Sequence, residues 1–182
     1  MKKIFLSFIG LALSTSMYSQ IYIAKTCEIS FFSEAPLENI EAINKAAKPI
    51  LNISTGDIQT KIAMAAFVFE KPLMQEHFNE NYVESEKFPS ATFKGKINEQ
   101  FDWTKDGEYK ASATGKFNIH GVEKEETING TVTIKGSEII INSKFNIRVA
   151  DYDIKVPTLY VKNIAEVVEV KINATLVPYK KK

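Results

Sequence analysis

The sequence predicts a mainly β fold, a one-domain meander of long antiparallel strands. Three observations predict it. Beyond residue 20, apolar and polar residues alternate with a period of two over long stretches. The breaks between these stretches are short and carry glycine. Twelve Phe and seven Tyr in 182 residues supply the aromatic side chains that pack well on a pleated surface. The length suffices for one domain with a sizeable core, and 45% apolar with 25% charged residues is an ordinary globular composition. Internal repeats, low-complexity runs and domain linkers are absent from the sequence.

The first element is a leader over residues 1–19. Lys2 and Lys3 form a basic start, Ile4 to Leu13 an apolar stretch too short to span a membrane, and Ser14-Thr15-Ser16 and Ser19 the small residues that precede a cleavage site. Cleavage is placed at Ser19–Gln20, leaving a domain over residues 20–182. Cys27 is no lipid-attachment site, because Lys25 interrupts the apolar run that such a site requires. A single Cys forms no internal disulfide, so Cys27 is expected as a small buried hydrophobe and the fold must be held by its core. The net charge is +1; losing Lys2 and Lys3 from 23 basic residues leaves one fewer than the 22 acidic ones. Neither balance suits a polyanion-binding protein, so no nucleic-acid partner is expected.

The next stretch, Pro36 to Ala47, is ambiguous. Leu37, Ile40 and Ile43 have helical spacing, but Ile50, Leu51 and Ile53 follow like strand residues. Pro72 to Asn79 predicts a short helix, with Pro at its first turn and good helix formers after it, running into a loop through Tyr82 to Lys87. Pro89 then marks a strand entry. Ala91, Phe93, Gly95 and Ile97 share one face of the following strand. Tyr109, Ala111, Ala113, Gly115, Phe117 and Ile119 share the dry face of another, against Lys110, Ser112, Thr114, Lys116 and Asn118. Asn129-Gly130 has the form of a hairpin turn, yet Ile128, Val132 and Ile134 keep their phase through it, which predicts one unbroken strand. Ile139 to Ile147 and Val168 to Leu176 complete the alternating rows. Reversals are expected at Thr55-Gly56-Asp57, Lys105-Asp106-Gly107, His120-Gly121 and Lys135-Gly136-Ser137, and their shortness favours antiparallel neighbours.

Such a meander protects its edges by closing into a barrel or by packing as a sandwich. Strands of about ten residues favour the barrel. Ala111, Ala113 and Gly115, Ala91 and Gly95, and Ala63, Ala65 and Ala66 put small residues on several walls. They leave axial volume unless facing Phe side chains fill it, and small barrels are found in both states.

Two segments carry a resemblance. Phe88-Pro89-Ser90-Ala91-Thr92-Phe93 is similar to the aromatic-Pro-x-x-Thr-Phe segment of the YceI-like family. Phe117-Asn118-Ile119-His120-Gly121-Val122-Glu123-Lys124 resembles that family's Leu-Thr-Ile-His-Gly-Val-Thr-Lys segment, departing at Phe117, Asn118 and Glu123. The resemblance covers about residues 22 to 178. It implies an extended eight-stranded antiparallel lipocalin-like barrel with a short helix near residues 72–79, a lipid-lined interior, export to the periplasm or medium, and a homodimer as one allowed assembly. It implies no catalytic residues, metal or cofactor, and makes Pro36 to Ala47 a strand. The ligand it implies is a polyisoprenoid, isoprenoid quinone or fatty-acid-like lipid, touched by Phe31, Ile62, Met64, Phe67, Phe93, Ala113, Phe117, Ile119, Phe145, Ile147, Val168, Val170 and Ile172.

Two His, one Cys and scattered Ser form no recognisable metal or triad spacing for an enzyme. An outer-membrane barrel would turn its apolar rows outward, but the polar rows here are rich in Lys and Glu. A filled barrel that binds a partner protein and no lipid stays open as the alternative. His120 precedes Gly121 in a tight reversal, so its expected role is to pin that turn rather than to meet a ligand. His77, on the helix, is expected to be exposed or partly packed.

Overall fold

The computed structural model describes residues 20–34, 39–155 and 166–180. The leader, residues 36–38 of the ambiguous stretch and the last two Lys lie outside the described residues. Among those described, ten strands form one antiparallel sheet: β1 (Ile21–Ser33), β2 (Ile40–Asn44), β3 (Ile50–Asn52), β4 (Asp57–Ala63), β5 (Phe67–Phe69), β6 (Ser90–Ile97), β7 (Gly107–Ile119), β8 (Val122–Lys135), β9 (Glu138–Arg148) and β10 (Val167–Pro178). One helix, α1 (Pro72–His77), continues as a π-helical turn through Phe78–Tyr82.

Pairing of β1 with β10 closes the sheet into a barrel. The barrel has eight staves because two of them are interrupted. The start of β1 pairs with β3 and its end with β2, so β2 and β3 are two halves of one stave. Likewise β4 pairs with β3 while β5 pairs with β2. The two breaks lie side by side and one residue joins them. The fully buried Asn44 donates from Nδ2 to the carbonyl of Ala63 at 2.8 Å and accepts from the Ala46 N–H at 2.9 Å. Residues 40–44 are thus strand, as the family pattern implies.

The alternating rows of β6 to β10 face inward as their period predicts, and β8 runs through Asn129-Gly130 without a turn. His120 and Gly121 both take positive φ, +53° and +79°, the pattern of a type I′ hairpin whose twist matches the flanking strands. Gly95 and Gly115 lie directly opposite in the β6–β7 register. A Cβ on Gly115 would fall on the backbone of Gly95 and Lys94, so this pair allows a close backbone approach rather than leaving space. The Phe93 ring covers the same spot, 2.7 Å from where a Gly95 Cβ would lie. Nor do Ala63 and Ala65 widen the interior. Both are exposed: Ala63 is an outward position at the end of β4, and Ala65 lies in the 3₁₀ turn Met64–Ala66, of which only Met64 is buried.

The two ends of the barrel differ. At one, Tyr22, Leu51, Ile97, Val132, Ile134, Ile139 and Leu176 form a tight cluster. Phe101 caps it, with ring centroids 5.3 Å from both Trp103 and Tyr109. That end is shut. At the other, β4 parts from β6 after Ala63 and β5 pairs with β2 on one side only. The segment from α1 to Val83 packs against the core there.

Cys27 is buried in the core as expected. Burial, reinforced by the neighbouring Glu28 carboxylate, pushes its thiol up to about 11. Native protein is therefore expected to resist alkylation near neutral pH, while urea-unfolded protein reacts to completion; thiol labelling followed by mass spectrometry reads the difference. Because the folded value lies above the unfolded one, the stability carried by the neutral thiol is complete below about pH 8.5 and is lost as pH rises through the folded value. Cys27→Ala should remove that part of the alkaline slope.

Candidate functional site

The open end leads into a cavity of about 590 Å³. Inward residues of the staves build one wall, among them Ile29 and Phe31 on β1, Ile62 on β4, Ala91 on β6, Phe117 and Ile119 on β7, Ile147 on β9 and Val168 and Val170 on β10. The helical segment builds the opposite wall with Met74, Phe78, Tyr82 and Val83. Phe31, Phe67, Phe69 and Phe78 make a contiguous aromatic patch, with five ring pairs at centroid separations of 5.0 to 5.8 Å. Polar groups are few, and Ser33, Lys71 and His77 are among them.

A second chamber of about 100 Å³ lies deeper, toward the shut end. Phe93, Ala111, Ala113, Ile128, Ile141, Phe145, Ile172 and Ala174 line it. Ile29, Ile62 and Phe117 line both chambers and so form the waist between them. The Phe117 ring stands across this waist with centroids 6.0 Å from Phe93, 6.3 Å from Phe145 and 6.0 Å from Tyr152. Tyr152 is buried and donates its hydroxyl to Glu126 at 3.0 Å; burial first, and then this carboxylate, raise its phenol well above the usual range.

This lopsided bottle, shut at one end and roofed by a helix at the other, is a known architecture. The sequence matches the YceI-like domain across residues 27–176. The chain belongs to the YceI-like family. A polyisoprenoid binding domain from Saccharophagus degradans, implicated in plant cell wall breakdown, superposes with a TM-score of 0.75 at 12% identity, covering 88% of this chain and 99% of that one. BcnA from Burkholderia cenocepacia gives 0.68 at 19% identity, with 82% and 95% covered. The YceI protein of Campylobacter jejuni gives 0.55 at 14% identity over 100% of both chains. At such identities the likeness is one of fold. No curated protein matches the sequence.

Within this YceI-like barrel, the thirteen wall residues nominated from sequence divide between the chambers. Phe31, Ile62, Met64, Phe67, Phe117, Ile119, Ile147, Val168 and Val170 line the larger one. Phe93, Ala113, Phe145 and Ile172 line the smaller. The helical wall was not among them. Its signal was present in the spacing of four between Met74, Phe78 and Tyr82, which puts one stripe on a helical segment. Phe69 was also missed, although it alternates in phase with Phe67.

His77 is partly packed and lies at the cavity lining. His120 lies in the hairpin turn and its side chain is largely buried. Its Nε2 is 2.8 Å from Glu84 and its Nδ1 3.2 Å from the Tyr152 carbonyl, while its ring lies 4.4 Å from that of Phe88. His120 therefore ties three segments around the open end. His120→Asn, which tolerates the positive φ but loses this reach, is expected to lower stability by about 1–3 kcal/mol in urea unfolding and to leave apolar-ligand uptake intact.

Proposed function

We propose that this YceI-like protein is an exported, non-catalytic binding protein that holds the tail of a hydrophobic lipid in the larger chamber. The observation that carries this reading is the chamber itself: about 590 Å³, lined almost wholly by apolar and aromatic side chains, in a barrel shut at its far end. A cavity of that kind gains little from water and much from an apolar guest. Each methylene buried contributes about 0.8 kcal/mol, so a tail of ten methylenes offsets the several kcal/mol that association costs. The polyisoprenoid named for the Saccharophagus domain supports the ligand class, to which isoprenoid quinones and fatty-acid-like lipids belong by the same chemistry. Export to the periplasm or medium is supported by the basic start and apolar stretch of residues 1–19. No helix among the described residues is long and apolar enough to cross a membrane.

The filled-barrel alternative suits the lower half, where Phe93 and Phe145 leave about 100 Å³, whereas the chamber of about 590 Å³ in the upper half favours the lipid-holding reading. Titration with an environment-sensitive apolar fluorophore tests the choice. Saturable one-to-one binding, reversed by an added single-chain lipid, is expected. Absence of binding by a folded, detergent-free preparation would favour the filled barrel.

A further inference from the structure

We propose that the Phe117 ring sets the length of lipid tail this barrel accepts, by walling the larger chamber off from the smaller one. The inference rests on the lipid-holding reading above and adds a size limit to it. Its basis is the shared lining. Phe117, Ile29 and Ile62 border both chambers, so they separate two spaces that would otherwise be continuous along the barrel axis. Of the three, Phe117 has the only large flat side chain, and it is braced on three sides by Phe93, Phe145 and Tyr152. It is also only 6% exposed, so the ring is packed in place rather than hanging in the cavity.

Volume converts this geometry into a chain length. Benzene fills an apolar cavity of about 150 Å³, or about 25 Å³ per carbon. On that scale the chamber of 590 Å³ holds about two dozen carbons. Carbons beyond that number stay outside the mouth and gain nothing. Removing the Phe117 ring frees its own volume and opens the smaller chamber, which together admit about ten further carbons. The barrel is thus a selector for single-chain lipids of intermediate length, and a much longer polyprenyl tail is held only in part.

The probe is a series of straight-chain primary alcohols from about ten to about forty carbons, each presented in phosphatidylcholine vesicles. Bound alcohol is quantified by mass spectrometry after the protein is separated from the vesicles. For the wild-type protein, affinity referred to the aqueous alcohol, obtained by correcting occupancy for each alcohol's partition into the vesicles, should rise by up to about fourfold per methylene and then level off near two dozen carbons. Phe117→Ala should move the levelling point by about ten carbons, and the milder Phe117→Leu by a few. Circular dichroism establishes that each variant is folded. A wild-type series that never levels off, or a levelling point unmoved in a folded variant, overturns the length limit and leaves lipid binding standing. Failure of the wild-type protein to take up any alcohol overturns the lipid-holding reading itself.

Discussion

Gly115→Val is expected to abolish the folded barrel or to leave it at least about 4 kcal/mol less stable, a large part of the 5–15 kcal/mol that holds a typical domain together. The reason lies in the β6–β7 register. Gly115 faces Gly95 directly, and a side chain there collides with the Gly95 and Lys94 backbone. Backbone in a sheet yields less readily than a side chain, so the strands must part. Parting them breaks pairing on the stave that carries Phe117 and Ile119, and with it the wall of both chambers. Thermal unfolding monitored by circular dichroism reads the loss. A melting temperature within a few degrees of wild type would show that β6 and β7 do not approach as described.

Ala91→Trp is expected to remove most apolar-ligand binding while the barrel survives. Ala91 is buried on β6 and lines the larger chamber. An indole there projects into empty space, so overpacking should cost no more than about 1–3 kcal/mol. The nine added non-hydrogen atoms, eight carbons and one nitrogen, take the room of about as many tail carbons, about 225 Å³ on the benzene scale. Lost burial of that size lowers affinity by at least about a hundredfold, even if part of the tail relocates. The fluorophore titration measures it. Unchanged affinity in a folded Ala91→Trp protein would place the ligand elsewhere.

The staves from β6 to β10 were legible in the sequence because period-two alternation is a local signal, and the reversals leading into β7, β8 and β9 carried their own turn residues. His120-Gly121 shows this well: two residues with positive φ specify a hairpin without help from the rest of the chain. The interrupted staves were less legible. The break after Asn44 depends on a hydrogen bond to Ala63, nineteen residues away, and no local pattern reports such a partner. The small residues were the most misleading. Ala91, Ala111 and Ala113 do border the chambers, but Gly95 and Gly115 serve backbone contact and Ala63 and Ala65 face solvent. Composition alone does not distinguish a residue kept small for a guest from one kept small for a neighbouring strand. The wall of the cavity followed from alternation, whereas its roof did not, because α1 contributes only a short stripe whose inward direction is set by packing on β5 and the core.

Native mass spectrometry of the protein, exported by a bacterial host and purified without detergent, tests whether the larger chamber holds a lipid. A species heavier than the bare chain by the mass of one lipid is expected, released intact on denaturation and much reduced in Ala91→Trp. A wild-type protein that is bare, and stays bare after incubation with single-chain lipids in vesicles, would contradict the lipid-holding reading.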